Sequence, residues 1–140
     1  MKLVEIDPQS NDDIEILYNF LSKRKNSISH EVLPTFENHK LFVENNPYRK
    51  WFFIVYKLDI IGSIYVLKDN GIGIDIKPSD LDLLKEIIDL LYSNIKPLEA
   101  IPSIRVKNFH INISPDNFAL EIKLKELGAI YKQKTYEFRL

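Results

Sequence analysis

Cysteine is absent from the 140 residues, which excludes disulfides, cysteine nucleophiles and thiolate metal centres together. Histidine is nearly as scarce: three residues without close carboxylate spacing point to no metal site. No apolar run approaches the roughly 18 residues of a membrane span, and the acids of MKLVEIDPQSNDD interrupt what a secretory signal would need. A cytoplasmic protein is expected. Charge of neither sign dominates, since 19 Lys plus Arg stand against 20 Asp plus Glu for a formal net charge of −1. That balance argues against nucleic-acid and membrane partners. Linkers, repeats and low-complexity tracts are missing too, so residues 1–140 read as a single domain.

What is present is 45% hydrophobic residues in readable periods. KLVEI at 2–6 suggests a strand, and Pro8, Ser10, Asn11 and Asp12 supply helix-start chemistry. Ile14, Leu17, Tyr18 and Leu21 then recur with helical spacing. Thr35 and Glu37 open a shorter helix that should bury Phe36, Leu41, Phe42 and Val43 and stop before Pro47. WFFIVYKL at 51–58 and IIGSIYVL at 60–67 read as an antiparallel hairpin, hydrophobic enough to be covered on both faces. GIGIDI at 71–76 places Ile72, Ile74 and Ile76 on one face and leaves Gly71 and Gly73 nearly bare on the other. The bare face suits close approach of a ligand, or simply a turn at Gly71 and a bulky neighbour at Gly73. Ser79 is the expected cap of a helix striped by Leu84, Ile87, Ile88, Leu91 and Ile95. SIRVKNFHINI at 103–113 reads as another strand, Leu120, Leu124 and Leu127 as a helix stripe, and AIYKQKTYEFRL as a final strand. The later strand-helix-strand steps require parallel crossovers, so the fold class is mixed α/β, with helices flanking a mixed sheet.

Three segments carry a resemblance to a known family. The first runs through Ser29-His30, Pro34-Thr35, His39, Phe42-Val43, Pro47-Tyr48-Arg49 and Trp51. The second is IIGSIYVLKDNGIGIDI, and the third INISPDNFALEIKLKELGAIYKQKTYE. Together they resemble the GNAT superfamily of N-acetyltransferases, in particular a subgroup linked to amino-sugar and surface-glycan acetylation. The resemblance implies a central mixed sheet of six to seven strands, about four flanking helices, and a bulged fourth strand splayed from the fifth. It further implies that Gly73, Ile74, Asp75 and Ile76 pair with the pantetheine arm of acetyl-CoA as though it were another strand. Ser79 and Asn117 would also contact that co-substrate, Asn117 having helix capping as its alternative.

The activity so implied is acetyl transfer to a primary amine, with a nucleotide-linked amino sugar as one acceptor the resemblance suggests, by direct attack without a covalent enzyme intermediate. His30 or Glu31 would take the amine's proton, and His39, Tyr48 and Trp51 would line the acceptor side. Ordinary roles compete: ordering of a polar loop for His30, a solvated helix face for His39, core packing for Trp51. A homodimer is compatible with the resemblance. The family's glycine-rich diphosphate loop is replaced here by Lys77-Pro78-Ser79-Asp80-Leu81-Asp82-Leu83, and its customary thiolate-protonating tyrosine falls on Leu124. Two further readings therefore stand beside the first: a catalytically inactive binding or assembly module on the same fold, and an acyltransferase using an acyl-carrier-protein donor.

Overall fold

The computed structural model describes residues 1–23 and 32–140. Ten elements follow one another along the chain. Strand β1 (Lys2–Glu5) leads to helices α1 (Asn11–Ser22) and α2 (Phe36–Glu44), then strands β2 (Lys50–Tyr56), β3 (Asp59–Val66) and β4 (Gly71–Ile76). A 3₁₀ helix (Pro78–Leu83) runs directly into α3 (Leu84–Asn94), followed by a short β5 (His110–Ile111) and α4 (Phe118–Glu126). The sheet order is β1-β2-β3-β4-β5, antiparallel through β4 and parallel between β4 and β5. The described residues thus form a mixed α+β fold with a five-stranded sheet, not the six to seven strands expected.

The helix starts obey side-chain chemistry. Ser10 accepts a hydrogen bond from the Asp13 N–H at 3.3 Å, and Thr35 accepts one from Asn38 N–H at 3.2 Å. Ser79 does not act this way. It lies exposed inside the 3₁₀ helix, because Pro78 starts that tighter turn and the α-helical pattern begins only at Leu84.

Two apolar clusters sandwich the sheet. On one face α3 brings Ile87 and Leu91 against Phe52, Ile54, Ile64, Val66 and Ile72. On the other, α1 and α2 bring Ile14, Leu17 and Val43 against Phe53, with Trp51 and Ile60 at the margin. Each fully buried side chain of this kind contributes roughly 1.5–3 kcal/mol. The near-continuous hydrophobicity of β2 and β3 follows from this double cover. In α2 only His39 and Val43 are buried; Phe36, Leu41 and Phe42 stay largely exposed, since the helix meets the sheet along a narrow stripe.

The hairpin between β2 and β3 turns at Lys57 and Leu58, both with positive φ (49° and 68°), as a two-residue primed turn demands. A register shift lies between Ile54 and Val55, whereas the β3–β4 ladder runs without irregularity. The bulge expected in the fourth strand does not interrupt its ladder with β3.

Two expected strands are reduced. Within 103–113 only His110 and Ile111 pair with the sheet, and the segment preceding them folds back through a bridge between Ile101 and Arg105. Residues 129–140 form no strand, and every one of them is exposed.

Candidate functional site

Strand β5 meets β4 at two positions, Gly71 with His110 and Ile72 with Ile111, and the ladder goes no further. Which β4 groups face the resulting gap follows from hydrogen-bond alternation. Leu67 N–H donates to the Gly71 carbonyl at 2.8 Å, so Gly71, Gly73 and Asp75 direct their main-chain groups at β3. His110 N–H donates to the Asn70 carbonyl at 3.0 Å on the opposite edge. Ile72, Ile74 and Ile76 therefore turn theirs toward β5. Ile72 is the last of these inside the ladder; Ile74 is the first beyond it, with its N–H and C=O directed into the splay.

A cavity of about 360 Å³ occupies the α1/α2 face at this seam. Leu17 and Leu21 of α1, His39 and Phe42 of α2, and the stretch from Ile111 to Ser114 form part of its lining. Aromatic rings build one wall. Tyr48 stacks on Tyr65 with centroids 4.1 Å apart and planes within 2°, while Trp51 meets Tyr48 edge-on at 4.7 Å. Phe42 closes the group with edge contacts to Tyr48 at 5.8 Å and Trp51 at 6.3 Å. The Trp51 indole N–H is buried and has no hydrogen-bond partner among the described residues.

The glycines of β4 have specific neighbours. A β-carbon on Gly73 would fall within the Tyr65 ring, and one on Gly71 would lie 2.8 Å from Asp69 Oδ1, the oxygen that accepts the Gly71 N–H. The bare face of β4 is thus filled by a ring and a turn, and the Tyr65 ring joins Gly73 and Asp75 in the cavity lining.

Of the expected site residues, Gly73, Ile74, Asp75, Asn117, His39, Tyr48 and Trp51 converge on the cavity. Ile76 and Ser79 are not in its lining. His30 and Glu31 lie outside the described residues. Roles shift within the converging set: alternation turns the Gly73 and Asp75 main chain to β3, leaving their side-chain positions facing the aromatic wall. Asp75 is opposite Ser63, and both belong to the lining. His39 is buried at 6% exposure, against the solvated position that was its alternative, with its ring 5.2 Å from Tyr18. Asn117 caps α4, its Oδ1 accepting from Leu120 N–H at 3.3 Å while the residue borders the cavity.

Two residues of the seam were not singled out from the sequence. Tyr65 is legible only once the β3–β4 register places it opposite Gly73. Asn70 is fully buried with φ 70°, donating from Nδ2 to the Leu98 and Val106 carbonyls (2.8 and 2.9 Å) and accepting Leu98 N–H on Oδ1 at 2.8 Å. The signal was the Asp69-Asn70-Gly71 turn, which accounts for the φ but not for the burial.

The chain matches no protein-family model, no curated protein and no solved structure.

Proposed function

We propose that this protein is a GNAT-like N-acyltransferase that moves an acyl group, acetyl in the simplest case, from a pantetheine thioester to a primary amine. One observation carries the reading: the β4–β5 ladder stops after Ile72, and a cavity opens where the next pairs would form. An extended amide-bearing arm fits such a gap because the Ile74 C=O can accept from one of its amides, as an added strand would require, which leaves the Ile74 N–H for the thioester. The thioester supplies an activated carbonyl, and its C–S bond breaks as the C–N bond forms, the pantetheine thiolate departing to take its proton from solvent. Ile74 N–H would polarise that carbonyl and hold the oxyanion that develops as the amine attacks. The aromatic wall of Tyr48, Trp51 and Tyr65 would position the acceptor, with the Trp51 N–H free to meet an acceptor oxygen on it. Among the described lining groups, His39 and Asp75 are able to receive the amine's proton; His30 and Glu31 are candidates on the resemblance alone.

The nucleotide end of acetyl-CoA fits less well. Over Pro78–Leu83 the proline lacks an N–H, glycine is absent, and Asp80 and Asp82 place carboxylates at the entrance to α3. Lys123, a cation that reaches this stretch, already pairs with Asp82 at 3.5 Å. This observation favours, as the second reading, a donor that keeps the arm and dispenses with the diphosphate, such as an acyl-carrier-protein thioester.

Calorimetric titration tests both readings with two probes, acetyl-CoA and S-acetylpantetheine. Saturable binding of both, within about tenfold of each other, is expected if the arm supplies most of the affinity. Ile74→Pro removes the gap-facing N–H while sparing the β3 ladder, and should weaken both at least tenfold, with Ile74→Ala as the control. No heat with either probe at millimolar concentration would refute the reading.

A further inference from the structure

Residues 129–140 read as a strand yet lie uncovered. Ile130, Tyr131, Tyr136, Phe138 and Leu140 are exposed by 76%, 60%, 80%, 92% and 117%. Side chains of this size remove on the order of 150 Å² each from water when covered. Two such segments would therefore bury about 1,500 Å², the size of a stable protein–protein interface. The chain's own body does not cover them: α4 ends in a fixed turn, Gly128 N–H donating to Lys125 O at 3.0 Å and Ala129 N–H to Leu124 O at 2.9 Å. Beyond that turn the extended segment can reach about 40 Å.

The surface that matches it is the outer edge of β5. Among the described residues that strand is last in the sheet with β4 as its sole strand neighbour, and Phe109 to Ile113 carries no Lys, Arg, Asp or Glu to blunt the edge. The opposite edge is guarded, since β1 opens with Lys2 and closes with Glu5, which pairs with Lys50 at 3.0 Å. Next after β5 along the chain, α4 leaves Phe118 and Ile122 exposed by 65% and 59%, one helical turn apart.

We infer that two copies of this chain exchange residues 129–140, each segment adding as a strand to the β5 edge of the partner and covering the apolar face of its α4. The exchange completes the sheet on the side where the cavity lies, and it stands or falls independently of the acyl-transfer reading. Light scattering behind size exclusion should give twice the chain mass. Tyr136→Asp with Phe138→Asp, both exposed in the protomer, should shift it to the single-chain mass with the far-UV circular dichroism retained. Because the chain has no cysteine, Asn108→Cys on one chain and Thr135→Cys on another can be mixed and joined with a short bismaleimide, and a covalent two-chain product is expected. A single-chain mass for the unmodified protein at about 100 μM, a dimer that survives the double Asp substitution, or no covalent product between the two single-cysteine chains would each overturn the exchange.

Discussion

The sheet is held by different chemistry on its two sides. From β1 to β4 the contacts are apolar and layered, with α3 on one face and α1 and α2 on the other. Beyond β4 the chain between α3 and β5 is tied down by polar side chains reaching backbone carbonyls. Asn70 holds Leu98 and Val106, Arg49 Nη1 donates to Lys96 O at 2.9 Å, and Arg105 Nε donates to Glu99 O at 2.7 Å. An apolar layer constrains only distance and volume, whereas an amide with three partners fixes direction. This is how β5 can start beside β4 and then diverge. The cavity sits at the seam between the two regimes.

The comparison is sharpened first by Leu91→Ala. Its side chain is fully buried in the α3-side cluster, so urea unfolding should show a loss of about 3 kcal/mol that slows no region selectively. Asn70→Ala should cost about 2 kcal/mol, since two carbonyls and one N–H lose their partner. Hydrogen exchange should accelerate mainly over 95–111. If Asn70→Ala instead destabilises β1–β3 as much as Leu91→Ala does, the two sides are one cooperative unit and the distinction fails. Asn70→Gly retains the positive φ, so its difference from Asn70→Ala isolates the backbone contribution. At the seam, Gly73→Ala should cost about 1.5 kcal/mol by pushing the Tyr65 ring off β4. A double-mutant cycle with Tyr65→Ala should then show coupling between the two positions, and additive losses would remove Tyr65 from the account.

Legibility in the sequence followed the same divide. Elements stabilised by their own pattern were readable: the aromatic and β-branched hairpin, the α3 stripe, and the caps at Ser10 and Thr35. The segment 103–113 misled because Ile104, Val106, Phe109 and Ile111 look like strand residues, while Asn70 and Arg105 bind its backbone and the adjoining carbonyls in a folded-back path. His39 was ambiguous because a single histidine on a helix carries no sign of which face is covered; the Tyr18 ring from α1 decided it. Ile74 was grouped with Gly73 and Asp75 because hydrogen-bond direction is invisible before register is known. The strand character of 129–140 is plain in its composition, but a strand needs an edge to pair with, and the protomer does not bring one to it.

From the sequence by itself came the element types, the two-faced burial of β2 and β3, the exclusion of cysteine chemistry and the position of the suspect glycines. Local pattern suffices there because helix and strand periods and capping preferences act within a few residues. Only the tertiary structure decided where the ladder between β4 and β5 ends, which main-chain groups face the gap, and that an asparagine bridging residues 28 and 36 positions away holds the chain leading into β5. Those outcomes depend on register and on long-range hydrogen-bond direction, and neither is written in any short stretch of chain.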